Sequence, residues 1–156
     1  MMQKRSVFLI VLGIGVGIGL TGVLVAAAPS AQDELSKHQG TWSVVSFRRS
    51  DKETPEEITR SIVRIVEGDR VLWKRDGKAF AATTIELDPS RTPATINVIP
   101  EGGPDRNKRI LGIYKLDGNN LLICMADAGH PRPTEFKANP RVMWTLMRLQ
   151  RKTPNR

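Results

Sequence analysis

From residue 40 onward the chain repeats one pattern: a short run rich in valine, isoleucine and aromatic residues, then a turn. The runs fall at 40–47, 62–67, 71–74, 79–87, 94–99, 110–116, 121–125 and 142–149. Among the breaks are Gly68-Asp69, Asp76-Gly77, Asp88-Pro89-Ser90, Glu101-Gly102-Gly103-Pro104 and Asp117-Gly118-Asn119-Asn120. Such runs between turn residues read as strands, and Asp-Gly between two of them is the strongest short hairpin signal. Eight strands joined mainly by hairpins close most economically as an antiparallel up-and-down barrel, which leaves no free edge. A β-sandwich is the alternative, and it would need longer crossing connections than these. Several runs are apolar on both faces, which an open sheet wetted on one side would not tolerate.

One helix interrupts the series. Residues 48–52 are polar and turn the chain, and Thr54-Pro55-Glu56-Glu57 then reads as a helix start. Threonine can cap, proline suits the first helical position, and Glu57 stands three residues after the cap. β-Branched residues take over by Ile62, so the helix is short. A loop carrying Gly129, Pro131, Pro133 and Pro140 precedes the last strand. The resulting expectation is all-β, with one short helix after the first strand. It divides the chain into residues 1–28, a polar linker at 29–37, a barrel at 38–150 and a loose basic tail at 151–156.

The first segment differs from the rest. Lys4 and Arg5 precede 22 residues, Val7 to Ala28, without a charge, and Ala26, Ala27 and Ala28 end it. A basic start, an apolar stretch and a small-residue exit are the parts of a secretory signal. Cleavage after Ala27 fits, with Val25 and Ala27 as the small pair. The stretch is also long enough for a retained transmembrane helix, and Gly13 with Gly17 and Gly15 with Gly19 form small-xxx-small pairs that pack such helices. Both readings place the domain outside the cytoplasm, in the periplasm, the cell envelope or the medium. Membrane contact is expected only through residues 7–28, if they are not cleaved. The lack of a cysteine at the junction excludes a lipoprotein anchor.

Cys124 is the single cysteine, so no internal disulfide forms. Its place in Leu121-Leu122-Ile123-Cys124-Met125 predicts burial. The remaining 128 or so residues can bury roughly two thirds of their surface without such a staple. The net charge is +8, which favours anionic surfaces of the envelope without identifying a partner. Nucleic acid is not expected, because the aromatics are spread through the strands rather than interleaved with basic residues.

Six stretches together carry a resemblance. They are Gly40-Thr41-Trp42 with the valines after it, Glu67-Gly68-Asp69-Arg70, Leu87-Asp88-Pro89-Ser90, Leu111-Gly112-Ile113-Tyr114-Lys115-Leu116-Asp117-Gly118, Ile123-Cys124, and Arg132-Pro133-Thr134-Glu135-Phe136. In this order, over roughly residues 35–149, they resemble a family of uncharacterised lipocalin-like domains, abundant in planctomycete bacteria and usually exported. The resemblance implies a lipocalin-like barrel and an exported location. It implies no activity and supplies no catalytic residues. Gly40-x-Trp42 is also similar to the glycine-x-tryptophan start of true lipocalins, where the tryptophan closes the barrel floor beneath a basic side chain. Gly40, Trp42, Cys124 and Phe136 are accordingly read as structural.

No motif for chemistry stands out. Asp127 and His130 share a loop but lack a third ligand nearby. Glu56 and Glu57 are explained by the helix start. The basic loop 102–109 could bind an anion through backbone N–H groups, but no helix follows it. Arg132 either lines the barrel mouth or pairs with Glu135 in a stiff loop that seats Phe136. No cofactor and no metal are expected. The leading functional expectation is a module that binds a small apolar ligand, with Trp73, Phe80, Tyr114 and Trp144 near the interior and Arg132 at the mouth. An eight-stranded barrel can hold one small ligand or be filled by its own side chains. The second expectation is therefore a filled barrel acting as an interaction or structural domain of the envelope. An enzyme ranks third.

Overall fold

A computed structural model describes residues 27–153 of the chain. The apolar helix expected within 7–28 lies outside the described residues, apart from Ala27 and Ala28.

The segment read as a polar linker is instead a helix, α1 (Ala31–His38). The Ser30 hydroxyl caps it by accepting from the Asp33 N–H at 3.0 Å. Asp33 and Glu34 in its first turn and Lys37 and His38 in its last complement the helix dipole. A short spacer, Gln39, leads into β1 (Gly40–Arg49). Gly40 has φ +97°, a conformation that glycine adopts without strain.

Residues 48–53, expected to turn only, form a small hairpin. Arg48 pairs with Glu53 and Arg49 with Lys52 of β2 (Lys52–Glu53). Helix α2 (Glu56–Thr59) follows, with Pro55 at its N-cap and no side-chain cap. Thr54 is therefore not the cap. Its N–H bonds to the Phe47 carbonyl at 2.8 Å and ties the turn to β1.

The other strands are β3 (Ile62–Glu67), β4 (Arg70–Arg75), β5 (Lys78–Asp88), β6 (Ala94–Pro100), β7 (Ile110–Asp117), β8 (Asn120–Met125) and β9 (Thr145–Arg151). Apart from the β2 flap, each pairs antiparallel with the next, and β1 pairs with β9. The result is a closed eight-stranded, up-and-down antiparallel barrel of lipocalin-like all-β type. The expected Asp-Gly hairpin is present: Arg75 pairs with Lys78, and Asp76 and Gly77 between them both have positive φ. That turn geometry matches the strand twist. The last strand starts three residues later than expected and runs on to Arg151, so the basic tail begins one residue later as well.

Two bulges break the alternation. The register slips between Val44 and Ser46 of β1 and between Trp73 and Lys74 of β4, opposite Phe80. Each leaves one unpaired residue, Val45 and Phe80, turned to solvent. A bulge re-aims the side chain it carries.

The apolar residues divide into two clusters. Inside the barrel, Trp42, Val44, Val66, Leu87, Tyr114, Leu121 and Leu149 fill the half next to α1, with Leu35 of α1 packed against them. Outside it, Ile113, Cys124 and Trp144 form a second cluster with Phe136, Val142 and Leu146. Ile113, Cys124 and Leu146 are register partners across β7, β8 and β9. The loop after β8 covers this outer face, which explains why these strands are apolar on both sides.

Candidate functional site

The half of the barrel away from α1 is not filled. It holds a cavity of about 230 Å³, lined by inward residues of every barrel strand, among them Phe47, Trp73, Ile85, Ile96, Val98 and Met147. Its polar lining consists of Arg64, Thr83 and Thr145. An apolar cavity with a few polar groups is the usual form of a small-molecule site.

Arg64 sits at an inward position of β3, opposite Trp42 on β1 and Trp73 on β4. It is 1% exposed. Neither terminal guanidinium nitrogen has a hydrogen-bond partner among the described residues, and neither does the Thr83 hydroxyl. Burial alone pulls the Arg64 pKa down to about 9. It therefore stays charged at neutral pH, in a wall that is otherwise hydrocarbon and hydroxyl.

Below the cavity lies the floor. Trp42 is fully buried, and its indole N–H donates to the His38 carbonyl at 2.9 Å. Arg151 stacks over the ring, 4.2 Å from its centre, and donates to the carbonyls of Gln39 and Lys37. This is the tryptophan beneath a basic side chain that the Gly40-x-Trp42 start predicts. The His38 ring meets Tyr114 edge-on at 5.0 Å. Burial first, then the positive charges of Arg64, Arg151 and Lys37, lower the His38 pKa to about 3, so the imidazole is neutral. Burial, and then the Glu34 carboxylate, raise the Tyr114 pKa above its ordinary value.

Of the five residues expected at a ligand, only Trp73 lines the cavity. Phe80 is 59% exposed, because the bulge turns it out. Tyr114 is inside but belongs to the filled floor. Trp144 lies in the outer cluster, just before β9, and its N–H bonds to the Asn139 carbonyl. Arg132 is neither at the mouth of this cavity nor paired with Glu135. Its guanidinium donates to the Ile96 and Gly112 carbonyls and to the Asn97 side-chain oxygen, clamping β6 to β7. Glu135 pairs with Lys137 instead.

The structural assignments fare differently. Trp42 and Cys124 are fully buried, Gly40 is exposed with a positive φ, and Phe136 is seated in the outer cluster rather than in the barrel core. Asp127 is held by Arg49 at 2.8 Å, and no group of three metal-binding side chains occurs among the described residues. The basic loop after β6 is largely paired. Arg70 bonds Glu101 through two nitrogens, Lys108 pairs with Asp105, and Arg109 bonds Glu86 twice.

Comparison with family models, with curated proteins and with solved structures finds no match.

Sequence reasoning missed Arg64, Thr83 and His38. The signal for Arg64 was present: it is the one charge in the run Ile62-Val63-Arg64-Ile65-Val66, two residues before an inward valine. An alternating strand puts both on the same face.

Proposed function

We propose that the barrel binds one small, mainly apolar molecule in the cavity between Arg64 and the strand ends away from α1. The observation that carries this reading is an unfilled apolar volume in a barrel whose other half is filled by its own side chains. An empty cavity of about 150 Å³ accepts benzene, and this one is larger. Binding is favoured over turnover in this reading, since the described lining places no nucleophile beside a base. The basic, then apolar, N-terminal segment supports a site of action outside the cytoplasm.

The test is thermal unfolding and Trp73 fluorescence with a panel of apolar probes that includes 1-octanol and octanoate. A ligand that binds only the folded state adds about 2.7 kcal/mol at a hundred times its Kd, enough to raise Tm by several degrees. Val98→Phe, which fills the cavity from its wall, should abolish the shift. No shift with any probe in the parent protein would overturn the reading.

A further inference from the structure

The cavity carries a group that an apolar guest does not need. Arg64 brings a full positive charge to a position only 1% exposed, with its terminal nitrogens unpartnered. Removing such an ion from water costs several kcal/mol unless a counter-charge answers it. None is at hand. Among the described residues the only buried acid is Glu34, which lies on α1, pairs with Lys37 at 3.0 Å and is not part of the cavity wall. Burial accounts for the lowered Arg64 pKa, with no carboxylate of the described residues raising it.

A purely structural role for Arg64 is also unfilled. The place of the basic side chain over Trp42 belongs to Arg151. Arg132, the other arginine that reaches the barrel wall with a buried part, uses its nitrogens on backbone carbonyls. Neither terminal nitrogen of Arg64 has a hydrogen bond of either kind among the described residues. Thr83, whose hydroxyl is also unpartnered, is part of the same wall.

We propose that the guest is an apolar carboxylic acid, whose carboxylate accepts hydrogen bonds from Arg64 while its hydrocarbon part lies along Trp73, Ile85, Ile96 and Val98. The inference rests on the cavity being a ligand site. The planar guanidinium fork matches a carboxylate in two-point geometry. The volume sets the tail. About 230 Å³ exceeds a benzene cavity but falls below the roughly 300–1,000 Å³ of drug-sized pockets. A medium-chain or single-ring acid fits, and a long-chain acid would have to emerge at the rim.

The experiment compares octanoate, 1-octanol and octylamine, three ligands with the same tail, by calorimetric titration at neutral pH. Octanoate should bind at least tenfold tighter than 1-octanol, and octylamine should not bind. The preference should persist in high salt, which screens surface charge but not a buried pair. In Arg64→Met the octanoate preference should vanish while 1-octanol still binds. Equal affinity for acid and alcohol in the parent protein, or a preference that disappears with salt, would overturn the head-group assignment and leave the apolar site standing. Binding of none of the three would overturn the ligand site itself. The parent-protein series and its salt dependence decide the matter even if Arg64→Met fails to fold.

Discussion

The guanidinium carbon of Arg151 lies 4.2 Å from the centre of the Trp42 ring. The last residue of the last strand thus covers the first buried side chain of β1, and the two are also register partners across the closing seam. The same guanidinium bonds two backbone carbonyls at the end of α1. One side chain therefore joins helix, floor and seam.

Arg151→Ala should lower stability by about 2 kcal/mol, from the lost cation–π contact and the lost charged hydrogen bonds. Arg151→Lys should recover only part of this, because lysine keeps the charge but not the fork. Urea unfolding of the three proteins checks it. A cost within about 0.5 kcal/mol for Arg151→Ala, the ordinary range of surface changes, would mean the stack adds little.

His38 predicts a pH dependence. Its folded pKa is about 3 against an ordinary 6.5, so between these values the unfolded chain binds the extra proton. Stability is then complete above about pH 6.5 and falls as the pH drops, by up to about 1.4 kcal/mol per unit. The positive charges acting on the ring are those of Arg64, Arg151 and Lys37, Tyr114 meets it edge-on, and Glu34 lies on the same helix. The depressed carboxylates of Glu86, Asp88 and Glu101 add losses of the same sign in more acid solution. The window from about pH 6.5 to 4.5 therefore isolates the histidine. Denaturant titrations at both ends should show the loss in the parent protein and a flatter response in His38→Asn.

Arg64 predicts a trade between stability and binding. Arg64→Met removes an uncompensated buried charge and keeps much of the side-chain length, so the ligand-free protein should gain about 1–3 kcal/mol. A loss of that size by urea unfolding would show instead that the charge is already satisfied in the folded protein.

Cys124 should be chemically silent. It is fully buried under the outer cluster, and burial raises its pKa to about 11. The thiolate is the reactive form. An aromatic disulfide reagent should leave the native protein unmodified over minutes and titrate one thiol in denaturant. Rapid reaction of the native protein would place the loop after β8 off the barrel.

Much of the barrel was legible because turn chemistry and strand runs are local signals. Asp76-Gly77 marks its hairpin without any help from the rest of the chain. The helix at Ala31–His38 was legible too, in Ser30 followed three residues later by Asp33, but a polar nine-residue stretch is equally at home in a linker. The site was harder. Phe80 and Trp144 are large and apolar, and their burial depends on a bulge and on a covering loop, neither of which a strand pattern contains. Arg64 and Thr83 carry the wrong polarity for an interior, so polarity assigns them to the outside, although alternation sets Arg64 on the face of Val66. The barrel's closure reverses that assignment, and closure is a property of the whole chain.

The β1–β9 seam also sets an order of events. Arg151 reaches Gln39 across 112 residues of sequence, whereas most strand pairs of the barrel join neighbours through short turns. Contacts between distant residues must bear the entropy of loop closure before they return any energy, which slows folding. The outer edge of β1 thus stays open until Thr145–Arg151 has been synthesised. Until then the chain is an open, curling sheet with an exposed template for stray strands, and its final seven-residue strand works as the zip.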